Sequence, residues 1–136
     1  GKPELRGSAH PDFRGDPARH DPEDLFLAAV AACHMLAYLA LCARRGVRVL
    51  RYEDRASGVL ALDDDGGGRF TRIELRPLVV VDATSNTARA RELHAEAHEA
   101  CFIASSCSAP IACEPTVRTA GAGEPEGARG EREGAR

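Results

Sequence analysis

The sequence predicts one domain in which two helices pack against hairpin strands. A chain of 136 residues suits a single domain. Residues 25–43 carry no formal charge, which predicts a long helix. Farther along, the stretch Asp63–Gly68 separates two runs of apolar residues and predicts a turn between antiparallel strands. Such strands need an apolar surface to cover them, so we expect the uncharged helix to be the buried centre of the domain.

Charge and cysteine usage exclude several classes of protein. The net charge is −3 and acidic and basic residues are interspersed, which argues against a nucleic-acid-binding protein or a polybasic membrane-surface protein. The first six residues lack the apolar core of a secretory signal. The five cysteines lack the dense spacing of a disulfide-stapled secreted domain, so we expect a cytoplasmic, reducing location.

The first helix has clear signals at both ends. Residues 1–20 are rich in glycine, proline, histidine and arginine and predict an irregular loop. Asp21 can cap the helix and Pro22 suits its first turn. The helix should run to about Arg45, where Gly46 can serve as the left-handed stop. Its uncharged length would also suit a membrane span, but seven alanines, a histidine and a tyrosine in that run favour a buried core helix.

The rest of the chain predicts strands on either side of a second helix. Residues 47–62 form one or two strands, and residues 69–81 a returning strand that Pro77 weakens in its middle. Thr84 or Ser85 can cap a second helix that ends at about Ala100. Residues 111–118 predict a last strand. Residues 119–136 contain too little apolar surface to pack and predict a disordered tail.

Cys33 and Cys101 are the candidate reactive groups. They lie 68 residues apart, at the first helix and just after the second, so only the fold can bring them together. A cysteine reacts as its thiolate, and apolar burial alone would raise its pKa. Glu23 precedes Cys33 by ten residues, about 15 Å of helix, so it can act only through a group that reaches between the two. An arginine from the preceding loop, Arg14 or Arg19, is such a group.

Two segments around these cysteines resemble the OsmC/Ohr family. The sequence Asp-Pro-Glu-Asp-Leu-Phe at 21–26, followed by Ala-Ala-Cys-His-Met at 31–35, resembles the first cysteine motif of that family. The sequence Ala-His-Glu-Ala-Cys-Phe-Ile-Ala-Ser-Ser at 97–106, followed by Glu-Pro at 114–115, resembles the second. The Asp-Gly-Gly-Gly-Arg-Phe-Thr hairpin between them is similar to the OsmC-like branch. The resemblance covers residues 5–118.

The resemblance implies an α+β fold with a long buried central helix and a second helix, packed against antiparallel sheets in an intertwined homodimer. It implies a thiol-dependent peroxidase that reduces organic hydroperoxides. Cys33 would be the peroxidatic cysteine, Cys101 the resolving cysteine, and Glu23 the acidic partner of an arginine, for which Arg14 is preferred over Arg19. A dithiol, such as a lipoylated protein, would regenerate the enzyme. No cofactor is implied, and the active sites would lie at the subunit interface.

The chain also departs from the family pattern. An OsmC-like domain is expected over residues 1–118, but the β-hairpin that usually opens it is not apparent, and we expect that segment to be missing from the sequence. Cys107 lies close to Cys101 and could form a competing disulfide. Cys42 and Cys113 are expected to serve in packing.

The histidines raise an alternative chemistry. His94 and His98 are four residues apart and share a helix face that ends at Cys101, so this face could offer three zinc ligands. A partly exposed face without metal is the preferred interpretation, and His34 is expected to be a packing or interface residue. The alternative function is a non-catalytic relative that holds a metal or a small thiol through Cys33, Cys101 and His98.

Overall fold

The computed structural model describes residues 1–121 and has the α+β architecture that the sequence predicts. Three α-helices are present in that range: α1 (Pro22–Arg44), α2 (Thr87–Glu99) and the one-turn α3 (Phe102–Ser105). Six strands accompany them: β1 (Val49–Glu53), β2 (Ser57–Leu62), β3 (Gly68–Leu75), β4 (Leu78–Val81), β5 (Ile111–Cys113) and β6 (Thr116–Thr119). Most of the predicted tail lies outside the described residues, although Thr119 belongs to β6.

The strands form two three-stranded sheets, in the orders β1-β4-β6 and β2-β3-β5. The pairs β1–β4 and β2–β3 are antiparallel, as expected for strands joined along a hairpin path. The third strand of each sheet joins in parallel, β5 on β3 and β6 on β4. Both sheets are therefore mixed, because the chain returns to them only after crossing α2 and α3.

Several predicted elements divide where the chain passes between the sheets. The returning strand expected over residues 69–81 is two strands, separated at Pro77, and they belong to different sheets. The last strand, expected over residues 111–118, divides at Pro115 in the same way. Proline cannot donate a backbone hydrogen bond, so each ladder ends beside it and the chain can cross to the other sheet.

The helix ends follow local capping chemistry. Asp21 caps α1 by accepting a hydrogen bond from the Asp24 backbone N–H at 2.8 Å. Gly46 follows the helix with φ of +70°, as the predicted left-handed stop. The cap of α2 is Asn86, which accepts from the Arg89 backbone N–H at 3.0 Å. Neither Thr84 nor Ser85 is the cap: the Ser85 hydroxyl accepts a hydrogen bond at 3.0 Å from the backbone N–H of Arg48, the residue just before β1.

Helix α1 is shared by both sheets. Its first half, around Val30, packs with β3 residues Ile73 and Leu75, while its second half, around Tyr38 and Cys42, packs with α2 and β4. Cys42 is 1% exposed, in agreement with its predicted packing role. The opposite side of the helix, however, is exposed in the single chain: Ala28, Ala29, Ala32, Leu36 and Ala40.

Because the residues on this exposed side are apolar too, α1 has the length and composition of a membrane-spanning helix. By length and composition the helix could cross a bilayer, and 28% of its most apolar stretch is buried within the chain. Its contacts with both sheets are those of a core helix. The expected burial is thus complete on one side only, and the other side presents small apolar residues at helical spacing.

Candidate active site

The site is formed where the middle of α1 meets the segment between α2 and α3. Cys33 lies at that point of α1 and is partly exposed. Cys101 is the N-cap residue of α3 and is 1% exposed. Its Sγ atom accepts a long hydrogen bond from the Ala104 backbone N–H, at 3.5 Å. A cysteine is a weak cap, but in this position its sulfur faces the first turn of the short helix.

The fold brings the two cysteines together. The sulfur of Cys33 lies close to the thiol of Cys101 and to the backbone N–H groups of Ile103 and Phe102, which are all placed to donate toward it. All five cysteines are free thiols in this structure. Residues that are 68 apart in sequence therefore share one site, as the motifs imply.

The two thiols have pKa values shifted in opposite directions. Burial by itself raises the pKa of Cys33, but the hydrogen bonds from Ile103, Cys101 and Phe102 outweigh it, so the pKa lies below its ordinary value. Burial raises the pKa of Cys101, and its position beside Cys33 raises it further. Of the two thiols, Cys33 is therefore the one that loses its proton more readily as the pH rises.

The backbone donors of α3 are the part of the site that the sequence did not indicate. The second helix was expected to end at about Ala100, with no further helix after it. In the structure α3 turns the N–H groups of Phe102 and Ile103 toward Cys33. Backbone donors have no residue signature, and the only available signal was that Cys101 could itself cap a new turn.

The predicted arginine is not beside Cys33 in the single chain. Arg14 follows a short 3-10 helix, Pro11–Phe13, and has a left-handed backbone with φ of 65°. Within residues 1–121 its side chain makes no ion pair or hydrogen bond. Arg19 pairs instead with Asp16, with Nε 3.3 Å from the carboxylate. The choice between the two arginines stays a prediction.

Glu23 lies on the first turn of α1, away from Cys33. It is half-buried and borders a cavity of about 490 Å³, which is also lined by Asp12 and Phe13, the neighbours of Arg14. Its carboxylate has no ion pair in the part of the chain that the structure describes. Glu23 and the Arg14 loop therefore border one cavity, and Cys33 is not part of its lining.

The other candidate site residues predicted from the sequence do not join Cys33 and Cys101. Cys107 is half-buried after α3, and its thiol donates to the Ala109 carbonyl at 3.7 Å. His98 is half-buried, and Cys33, Cys101 and His98 do not form a group of three converging ligand atoms within residues 1–121. The same holds for the predicted helix face of His94, His98 and Cys101, because His94 turns inward and Cys101 turns toward Cys33.

Known proteins share both the sequence pattern and the fold of this chain. The family model described as OsmC-like protein matches residues 15–116. A solved OsmC-like protein of unknown function from Vibrio cholerae O1 biovar eltor is 35% identical, with a TM-score of 0.74 over 81% of this chain and 75% of that one. No curated protein sequence matches the chain.

Two more distant structures establish similarity of fold. The organic hydroperoxide resistance protein OsmC from Legionella pneumophila is 20% identical, with a TM-score of 0.65 over 83% of this chain and 80% of that one. The organic hydroperoxide resistance protein OhrB of Bacillus subtilis is 22% identical, with a TM-score of 0.53 over 76% and 78%.

Proposed function

The chain belongs to the OsmC/Ohr family, and on that premise we propose that it is a thiol-dependent peroxidase that reduces organic hydroperoxides. The observation that carries the proposal is the pairing of Cys33 with Cys101, with the pKa of one lowered and that of the other raised. Two inert packing cysteines would both have raised pKa values, as buried Cys42 does.

The proposed reaction uses the two thiols in sequence. The Cys33 thiolate attacks the outer oxygen of the hydroperoxide, the O–O bond breaks, and the alkoxide takes a proton and leaves as an alcohol. Cys33 is then a sulfenic acid. The Cys101 sulfur, after losing its proton, attacks the Cys33 sulfur and displaces hydroxide, which leaves as water. The resulting disulfide is reduced to two thiols by an external dithiol, which is itself oxidised.

The hydrogen bonds at Cys33 support its role as the attacking group. Two backbone N–H groups and one thiol favour a thiolate there, and no cation among residues 1–121 contributes to lowering its pKa. Cys33 is partly exposed, so a peroxide can reach it, while Cys101 is buried behind it. A peroxide from solution therefore reaches Cys33 more readily than Cys101. Cys101 is placed to react with the sulfenic acid that forms on Cys33.

We infer that the arginine and Glu23 act at the interface of a homodimer. Within one chain about 15 Å of helix separates Glu23 from Cys33, and within residues 1–121 neither Arg14 nor Arg19 pairs with Glu23, so the arginine that would join the two is not in place in the single chain. The exposed apolar side of α1 offers a surface for a second copy. Arg14 is the better candidate because Arg19 is already paired with Asp16.

A peroxide-consumption assay tests the proposal. Fully reduced protein is mixed with cumene hydroperoxide in the absence of a reductant, and both peroxide and free thiols are counted. We expect one peroxide consumed and two thiols lost per chain. Cys33→Ser should consume none, and Cys101→Ser should stop at the sulfenic acid, which a dimedone-type probe traps.

Cys107→Ser is the matched control, since it removes another half-buried thiol near the pair. It should consume peroxide like the unaltered protein. If reduced protein consumes no peroxide, or if Cys33→Ser consumes it at the same rate, the proposed function is wrong. If Cys107→Ser fails to form the disulfide, Cys107 is the resolving residue instead of Cys101.

A further inference from the structure

Three metal-ligating side chains meet at a second place in the fold. His34 from α1, His94 from α2 and Cys113 at the end of β5 bring one potential ligand atom each within 4.8 Å of one another. His34 Nε2 lies 3.0 Å from His94 Nδ1. Cys113 Sγ lies 3.6 Å from the same His34 nitrogen. These residues come from three separate elements, so the cluster is produced by the tertiary fold.

The two imidazoles are held rigidly. His34 is 1% exposed and His94 is 3% exposed. The His94 ring stacks on Tyr38, with centroids 3.9 Å apart, and the Tyr38 hydroxyl donates to the Ala90 carbonyl one turn earlier on α2. Packing therefore fixes the rings with two nitrogens facing each other, which is the preorganisation that a metal site needs.

The spacing fits a small four-coordinate ion. With Zn–N near 2.05 Å and Zn–S near 2.3 Å, a tetrahedral zinc ion places two nitrogens about 3.3 Å apart and a nitrogen and a sulfur about 3.6 Å apart. The observed separations are 3.0 Å and 3.6 Å. Seating the ion therefore requires the histidine nitrogens to separate by about 0.3 Å. It also requires His94 Nδ1 and Cys113 Sγ, which lie within 4.8 Å of each other, to reach a separation of about 3.6 Å.

The cluster is reachable from solvent. A cavity of about 380 Å³ is lined by His94 and Cys113 together with His98 and Glu99. An ion can enter along it, and a water molecule can take the fourth position.

We propose that His34, His94 and Cys113 form a zinc site with three protein ligands and an open fourth position. Two imidazoles and one thiolate suit a borderline-soft ion such as Zn²⁺ better than Mg²⁺ or Ca²⁺. Binding displaces the Cys113 thiol proton to solvent. It leaves one proton on His34 Nδ1 and one on His94 Nε2, both of which are buried without a hydrogen-bond partner within residues 1–121. The site is distinct from the Cys33–Cys101 pair, and its existence does not depend on the peroxidase function.

Metal titration of the reduced, chelator-stripped protein tests the site. We expect one Zn²⁺ per chain in a competition titration with a chromophoric chelator. Co²⁺, which replaces zinc in such sites, should give visible bands of tetrahedral cobalt and a near-ultraviolet sulfur-to-cobalt band. Cys113→Ser should abolish the sulfur-to-cobalt band and weaken zinc affinity at least tenfold.

Two thiol controls separate this site from the others. Cys107→Ser makes the same change at another half-buried cysteine, and Cys33→Ser/Cys101→Ser removes the redox pair; both should keep the band and the affinity. If the band survives Cys113→Ser, or disappears with the redox pair, the proposed site is wrong.

A measurement on the unaltered protein covers the case in which a variant does not fold. Iodoacetamide labelling with and without one equivalent of Zn²⁺, read by peptide mass spectrometry, should show selective protection of Cys113. Equal labelling of Cys113 with and without zinc overturns the proposal.

Discussion

Two tyrosines, Tyr38 and Tyr52, lie beside His94, and only the hydroxyl of Tyr38 has a hydrogen-bond partner within the described residues. This difference predicts opposite effects of their substitution on stability. Tyr38 is 0% exposed, and its hydroxyl donates a hydrogen bond to the Ala90 carbonyl at 3.1 Å. The Tyr52 hydroxyl is also buried but has no hydrogen-bond partner within the described residues. Each ring lies close to the His94 ring, so replacement by phenylalanine removes one oxygen from a similar setting.

The expected free energies of unfolding follow from these contacts. Tyr38→Phe loses a buried hydrogen bond between α1 and α2 and should lower the free energy of unfolding by about 1 kcal/mol. The Tyr52 hydroxyl is buried without a partner, which costs the folded state about 1–3 kcal/mol. Tyr52→Phe removes this cost, and the loss of the packing contacts of the oxygen offsets part of the gain. Its free energy of unfolding should be unchanged or raised by up to about 1 kcal/mol.

Urea denaturation at one fixed protein concentration measures both variants. Fixed concentration is needed because dimerisation would couple stability to concentration. The dependence of the unfolding free energy on urea should stay the same in both, since the area exposed on unfolding barely changes. If Tyr52→Phe is destabilised as much as Tyr38→Phe, the reasoning is refuted, because the Tyr52 hydroxyl must then make a stabilising contact.

Three further predictions concern the site and its supports. Cys101→Ala removes the S–H donor to Cys33, so the pKa of Cys33 should rise, and the pH dependence of its alkylation should move to higher pH. Cys101→Ser keeps a donor and should shift this pH dependence less. Asp21→Ala removes the cap of α1 and should lower the free energy of unfolding by about 1 kcal/mol in urea denaturation. Gly15→Ala would place a methyl group 1.5 Å from the Ala9 carbonyl oxygen, so the loop that carries Arg14 must move. Peroxide turnover should then fall about tenfold or more, while the urea midpoint of unfolding changes little. Unchanged turnover would count against a role for that loop.

Structural elements that depend on contacts between residues close together in the sequence were predictable. The start and stop of α1 depend on Asp21 and Gly46, which act on atoms within about four residues, so their signals are local. The turn before Gly68 was predictable for the same reason. The cap of α2 was misplaced by one or two residues, because Ser85 and Asn86 are both good caps and the Ser85 hydroxyl is used by Arg48 instead.

The assignment of strands to sheets was not predictable. Residues 78–81 and 116–119 pair with each other, and neither pairs with the strand immediately before it in the chain, β3 or β5. Such pairing depends on partners far away in sequence, and a break at proline does not state which sheet the next strand will join. The same limit applies to the functional site. Motif resemblance indicated both cysteines, since their sequence motifs are local. The backbone donors of α3 and the contact between His34 and His94, 60 residues apart, could be seen only in the folded structure.

The parallel addition of β5 and β6 has a consequence for synthesis of the chain. Until residues 111–119 are available, each sheet is a two-stranded ribbon, which is marginal in water. The last strands are adjacent in sequence yet complete different sheets, so both halves of the structure wait for the same short segment. We expect ribosome-bound chains that end before Ile111 to be digested rapidly by protease, and chains in which Thr119 has cleared the exit tunnel to resist it. Protection that arises earlier, in one sheet alone, would contradict this order. On this basis the domain matures in one late step rather than sheet by sheet.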